Sequence, residues 1–171
     1  MTQAPVEDME LVTVPKSERS QLEFILDESF EGLYLWHSRR TLHNIELVRA
    51  LRSSGRFLGL SMVKMVAEGS GYVYYVAVPL QSRRKGLGGK LLDDALAHFD
   101  ELHASEVFAS VGEDNVESNA LFSSRGFERT NRAEIAKRHG QIRTINMYRE
   151  MMVVYGEILL RKELRPDVPT L

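Results

Sequence analysis

The residues best suited to chemistry lie together at positions 76–92, reading Val-Ala-Val-Pro-Leu-Gln-Ser-Arg-Arg-Lys-Gly-Leu-Gly-Gly-Lys-Leu-Leu. A strand-like apolar run ends at Pro79. A basic, glycine-rich turn follows, and an amphipathic helix begins at once. The start of a helix presents amides without intrahelical partners and the positive end of the helix dipole, and both attract anions. Gly86, Gly88 and Gly89 remove side chains that would block those amides, and Arg83, Arg84 and Lys85 add positive charge beside them. Phosphate or pyrophosphate is the ligand this chemistry suits. The competing reading is a solvated turn before an ordinary helix. Two familiar phosphate loops are excluded. Gly89-Lys90-Leu91 lacks the hydroxyl of a Gly-Lys-Ser/Thr nucleotide loop, and Leu91 stands where a dinucleotide fingerprint needs its third glycine.

A second pattern lies downstream: Asn115-x-x-Ser118, then Phe122, then Gly126-Phe127. With Arg83-x-x-Gly86-x-Gly88 after Val-Ala-Val-Pro, it resembles the GNAT family of acyl-CoA-dependent N-acyltransferases. That family's signatures are Arg/Gln-x-x-Gly-x-Gly/Ala and, later, Asn-x-x-Ala, Tyr, Gly-Phe. The close matches cover residues 72–130. The resemblance implies an α/β fold of the α+β type, a single domain over residues 1–171. Its central sheet is mixed and mostly antiparallel, flanked by helices, with two splayed strands forming an acetyl-CoA cleft. It also implies that the backbone of Val76, Ala77 and Val78 meets the pantetheine arm. Arg83, Arg84, Lys85, Gly86, Leu87, Gly88 and Gly89 would hold the pyrophosphate, and Asn115, Ser118 and Phe122 would lie near the coenzyme.

Acetyl transfer to an amine needs a proton removed from the ammonium, an oxyanion stabilised and a leaving thiolate protonated. In many members a tyrosine of the second motif gives the last proton. Here that position is Phe122, which has none to give. Some members carry a glutamate base on the strand before the turn, and the matching position is about Tyr72, with Tyr74 two residues on. Tyr72 and Tyr74 are therefore the catalytic candidates, against a plain role in aromatic sheet packing. The resemblance implies an N-acetyltransferase acting on a primary amine by direct attack in a ternary complex. The alternatives are a non-catalytic acyl-CoA sensor, suggested by Phe122, and a nucleotide-phosphate binder using the same turn.

The segment after the first helix lines the acceptor side in this family. It carries Glu31, Tyr34, Trp36 and His37, with Glu28 just before, a set suited to a cationic amine. Arg39 and Arg40 follow and would suit a carboxylate. Small molecules, protein N-termini and lysines all stay open as acceptors. Of the five histidines, only His98 and His103 are near neighbours at anything like ligand spacing, and five residues put them off one helical face, so no metal is expected.

The elements that must position these residues follow from patterning. Residues 1–8 read as a loose tail and 9–14 as a strand. Residues 18–29 read as a helix capped by Ser17, and 31–44 as a second, irregular helix. Residues 45–52 and 56–66 form a hairpin across Ser53-Ser54-Gly55, and 72–78 is the strongest strand, apolar enough to be covered on both faces. Leu91, Leu92, Ala95, Leu96, Phe99 and Leu102 mark the apolar side of the next helix. Residues 107–111 read as a strand. Asp114 or Asn115 caps a helix that stops at Gly126, and 127–130 and 156–164 close the sheet. Residues 131–155 show no clear pattern. Met147, Met151 and Met152 within them read as core filler, or as residues packing across a homodimer interface.

The chain has 171 residues, 43% apolar and 27% charged, which suits one globular domain. Twenty-two basic and 24 acidic residues give −2, so overall charge makes no case for nucleic acid or an anionic membrane as partner. There is no cysteine, so disulfides and thiol chemistry are excluded. The acidic N-terminus does not read as a secretory signal, and no apolar run reaches the ~18 residues of a membrane span. A cytoplasmic protein is expected.

Overall fold

A computed structural model describes residues 8–165. Most of the expected loose tail, residues 1–7, lies outside the described residues. The sheet has seven strands in the order β1-β2-β3-β4-β5-β7-β6. The chain divides into two compact units, one made of residues up to Val63 with Tyr75–Asp94, the other of Lys64–Tyr74 with Ala95 onward.

In the first unit β1 (Met9–Thr13) pairs antiparallel with β2 (Leu47–Ser53), from Met9↔Ser53 to Thr13↔Arg49. β2 pairs antiparallel with β3 (Arg56–Ala67), from Ser53↔Arg56 to Leu47↔Val63. Ser54 and Gly55 between them have φ of +49° and +76°, the left-handed pair that a tight hairpin with twisted strands demands. The expected hairpin is therefore present. Leu51, Leu87 and Leu91 form a core cluster here, with Leu11, Leu58, Val76 and Val78 packed on it. Gly59 lets these layers close, since a Cβ there would lie 3.0 Å from Leu91 Cδ1 and 3.1 Å from the Ala77 carbonyl oxygen.

The first helical region departs from the expected one. Lys16–Leu22 is a 3-10 stretch, and α1 is only Glu23–Ser29. Pro15 holds the cap position and no side chain caps the stretch, so Ser17 is not the N-cap. Pro suits a helix start because its missing N–H would be an orphan there. α2 (Gly32–Asn44) is a regular helix, not an irregular one. Arg19, 2% exposed, ties this region together. Its Nε donates to the Val14 carbonyl at 3.2 Å, Nη1 to those of Leu42 (2.9 Å) and Ile45 (2.5 Å), and Nη2 to that of Glu46 (3.0 Å). One guanidinium thus satisfies carbonyls at the end of β1, the last turn of α2 and the entry to β2.

In the second unit, β4 (Ser70–Ala77) pairs in parallel with β5 (Glu106–Gly112) over Ser70↔Glu106 to Val73↔Ala109. A parallel pair needs a crossover, which α3 (Leu87–Glu101) supplies. Gly71 is where it packs down, for a Cβ would sit 2.5 Å from the Phe99 ring. Leu102, expected on the apolar side of α3, lies just past its end and is 48% exposed. α4 (Val116–Ser124) leads to β6 (Glu128–Thr130), which pairs antiparallel with β7 (Glu157–Glu163). β7 also pairs antiparallel with β5 along its whole length. β4 is fully buried only over its first four residues; Tyr74, Tyr75 and Val76 are half-buried, so the expected double coverage holds for the first half alone.

Residues 131–155, unassigned from the sequence, hold two helices, α5 (Arg132–His139) and α6 (Gln141–Glu150). Asn131 caps α5 by accepting from the Glu134 amide at 3.0 Å, and Gly140, at φ +80°, ends it. Ile135, Met147 and Met151 enter a core with Val66, Tyr72, Phe108 and Leu159. Met147 and Met151 are thus core filler, and Met152 is half-buried. A buried carboxylate, Glu106, accepts from Ser70 Oγ at 2.7 Å and from Arg161 Nε at 2.6 Å, with His139 Nε2 2.6 Å away. These partners offset its desolvation.

Arg19→Met keeps much of the volume but strips four carbonyls, three of them in buried bonds, of their donor. It is expected to lower unfolding free energy by about 3 kcal/mol, read as a fall in the urea midpoint at unchanged slope.

Candidate functional site

In the first unit β4 runs to Ala77 and the chain passes Pro79 into a short 3-10 turn, Leu80–Ser82. The Ser82 amide donates to the Pro79 carbonyl at 2.8 Å and the Arg83 amide to that of Leu80 at 3.3 Å. Arg84, at φ +60°, and Gly86, at φ +72°, then coil the chain into α3. A non-glycine residue held left-handed stores on the order of 1 kcal/mol of strain, which the rest of the turn must over-determine. At Gly86 a Cβ would meet nothing within 4 Å, so open space adjoins the turn.

The first bond of α3 joins the Lys90 amide to the Gly86 carbonyl at 3.1 Å. The amides of Leu87, Gly88 and Gly89 come before it and have no partner within the helix. Arg84, Lys85 and Gly86 are exposed, Gly88 is half-buried, and Leu87 and Gly89 are buried. Leu87 anchors the turn through the core cluster, which leaves the charged residues outside. Arg83 is half-buried and its Nε donates to the Val78 carbonyl at 3.0 Å, so it braces the turn against the strand end as well as supplying charge. Val76 and Val78 are half-buried and Ala77 is buried.

α2 belongs to this unit as well. Glu31 sits at its N-cap, exposed, making no side-chain cap bond. Tyr34 is 39% and Trp36 55% exposed. His37 packs edge-on to Trp36 at 4.8 Å, and the Arg40 guanidinium lies over the Trp36 ring at 5.6 Å. Arg39 is engaged in a forked ion pair with Asp27, with bonds of 2.6–2.9 Å, so its charge is not held open for a carboxylate.

In the second unit the ladder between β4 and β5 ends at Val73↔Ala109, and β5 continues to Gly112. Asn115 then caps α4, its side-chain oxygen accepting from the Ser118 amide at 3.0 Å. Asn119, which the motif does not mark, holds this corner. Its Nδ2 donates to the Asn115 carbonyl at 2.7 Å and to that of Gly112 at 3.0 Å. An amide one helical turn after a cap asparagine was the available signal. Phe122 is 5% exposed and packs edge-on to Phe127 at 5.0 Å, so it is a core side chain of this corner.

Tyr72 and Tyr74 also lie in this unit, their rings edge-on at 4.7 Å. The Tyr72 hydroxyl is 2.7 Å from Ser110 Oγ and 3.0 Å from the Met152 carbonyl oxygen, and Ser110 Oγ bonds the same carbonyl at 3.1 Å. The Tyr74 hydroxyl donates to the Glu150 carbonyl. Sequence reasoning missed Ser110 and these two carbonyls, because backbone partners from a long connection leave no residue-type signal. Among the described residues, no group of three His, Cys, Asp or Glu is placed to hold a metal ion. Among the described residues no helix is long and apolar enough to cross a membrane.

Burial, then the nearby Glu150 charge, pushes the Tyr74 phenol up to about 12 from 10.0. It stays protonated at any working pH. Between about pH 10 and 12 only the unfolded chain releases this proton, so stability is unaffected below that window and falls through it as pH rises. Tyr74→Phe is expected to remove one late-titrating phenol from the ultraviolet titration and to flatten the alkaline loss of stability.

The family model described as "Acetyltransferase (GNAT) family" matches residues 12–127. Solved structures share the architecture at low identity. The ribosomal-protein-S18-alanine N-acetyltransferase of Escherichia coli is 13% identical with a TM-score of 0.69, covering 95% of this chain and 98% of its own. The PaiA N-acetyltransferase of Thermoplasma acidophilum, in complex with coenzyme A, is 13% identical at a TM-score of 0.68, covering 91% and 98%. A GNAT family acetyltransferase of Elizabethkingia anophelis with acetyl-CoA bound is 16% identical at 0.64, covering 92% and 99%. No curated protein sequence matches. Well over half of the chain, with both the basic glycine-rich turn and the Asn115 corner inside the matched span, falls under one family model, and the protein belongs to the GNAT acetyltransferase family.

Proposed function

We propose that this protein is an N-acetyltransferase that uses acetyl-CoA and a primary amine. The observation that carries the reading is the start of α3: helix amides that precede the first intrahelical bond, an open approach at Gly86, and the exposed charges of Arg84 and Lys85. This suits a pyrophosphate, with charge-assisted bonds from the basic residues and neutral ones from the main chain. The related structures that hold coenzyme A or acetyl-CoA support the same choice of ligand. Val76, Ala77 and Val78 are assigned to the pantetheine arm through their backbone. Asn115, Ser118 and Phe122 keep their assignment as the second motif.

When bound, acetyl-CoA supplies an acetyl group already activated as a thioester. The chain's part is to hold donor and amine together and to manage protons. Positioning alone can remove ~7–11 kcal/mol from a bimolecular barrier, whereas acid or base help gives about 10²–10⁴-fold. That ordering matters because Phe122 has no proton to give. Tyr72 and Tyr74 are the catalytic candidates, with water or a tyrosine moving protons; Tyr74 holds its own proton tightly and donates it in a hydrogen bond to the Glu150 carbonyl. Glu31, Tyr34, Trp36 and His37 are assigned to the acceptor amine, the exposed aromatic surface suiting a cationic group before it loses its proton.

Phe122 also favours a second reading, an acyl-CoA sensor that binds without turnover. Thioester consumption across a panel of amines separates the two, and none above background would favour the sensor. Phe122→Tyr would then raise the rate sharply if an acid is missing. For the binding site, Arg84→Glu is the clean variant, since Arg83 also braces Val78. Arg84→Glu is expected to weaken acetyl-CoA about tenfold by calorimetry, and the double reversal with Arg83 by more. Affinity unchanged in both, or ATP preferred over acetyl-CoA in competition, would sink the assignment.

A further inference from the structure

β3 is twelve residues long, and its ladder with β2 stops at Leu47↔Val63. Its last four residues, Lys64 to Ala67, run on with β4 as their neighbour on the other edge. Among the described residues no strand pairs with the vacated edge. Alternate residues of a strand turn both N–H and C=O toward the same edge, so this stretch of about 13 Å carries unpaired donors and acceptors at strand spacing.

The same four residues border two cavities. One, of about 770 Å³, lies between Val66 and Ala67 and the start of α6, with Ile142 and Asn146 in its wall. The other, of about 430 Å³, is lined by Lys64, Met65 and Val66 against Asn146, Arg149 and Glu150. Val66 and Asn146 belong to both, so the cavities form one groove along α6. Consecutive strand residues point to opposite faces. A cavity that touches three in a row meets the edge of the strand and not one of its faces. Ile142 is 79% exposed and gives the groove an apolar wall. Lys64 is paired with Glu150 at 2.6 Å and Arg143 donates to the Glu68 carbonyl, so the lining keeps a positive excess from Arg143 and the exposed Arg149.

We infer that this groove docks an extended, acidic segment of a partner polypeptide, which adds to the sheet as a short strand beside β3. Only a polypeptide main chain repeats donors and acceptors at the spacing of the free edge. Its alternate side chains would meet Ile142 and Ala67 on one side and the guanidinium groups of Arg143 and Arg149 on the other. The end of the groove at Glu150 is where Tyr74 is tethered, so a docked segment lies in the same unit as the candidate phenols. The inference goes beyond acetyl transfer and stands without it.

The test selects random peptides displayed on phage against the full chain with no acyl donor present. Acidic sequences with alternating apolar residues are expected. A synthetic representative should slow amide exchange within Lys64 to Ala67. Methylating its alternate backbone nitrogens should abolish binding. Asn146→Trp, an exposed helix position that fills the groove, and Arg149→Glu should each weaken it about tenfold, with thermal melting used to show both variants folded. Failure to enrich any peptide, unchanged exchange at those amides, or equal binding by the methylated peptide would overturn the inference.

Discussion

A helix cannot satisfy its own first amides, and at the start of α3 this leaves those of Leu87, Gly88 and Gly89 without a partner in the helix. The start of α3 falls directly after β4, where Leu87 is pinned in the core and Gly86 leaves an open approach. The pinning fixes where these amides stand, which is what the proposed pyrophosphate site requires of them. Gly59 belongs to the same constraint. Any side chain there would press on Leu91 and on the Ala77 carbonyl, and would shift the helix start that the turn depends on.

The second unit solves a different problem, that of holding two phenols whose oxygens need partners. Tyr72 and Tyr74 meet carbonyls at residues 152 and 150, at and just beyond the end of α6. α5 and α6 thus do more than cover the sheet. Their core residues, Ile135, Met147 and Met151, pack against Tyr72, and their last turn fixes the hydroxyls. The buried Glu106, with Ser70, Arg161 and His139, ties the far end of α5 to β4, β5 and β7.

Legibility followed signal strength. β4, the basic turn and α3 were readable because glycines and charges cluster at the junction and Leu91, Leu92, Ala95 and Phe99 keep one helical face. The cap at Asn115 was readable because the residue type and the following helix agreed. α5 and α6 were hidden because each buries so little, Ile135 in one and Thr144 and Met147 in the other, that no apolar period emerges. Even so, Asn131-x-x-Glu134 was a usable start signal. Ser17 misled because a capping residue type says nothing of 3-10 winding, which here accompanies the long-range reach of Arg19. Apart from Ser110 Oγ, the phenol partners are main-chain atoms some 80 residues away, and a sequence pattern cannot express them.

The tether between the phenols and the end of α6 gives the connection from β6 to β7 a particular constraint on its length. Its two helices are held to the sheet by a few core side chains, by the His139–Glu106 corner, by the Lys64–Glu150 ion pair and by the bonds of both phenols. Lengthening or shortening it by a residue would move the carbonyls of residues 150 and 152, and with them the partners of both hydroxyls.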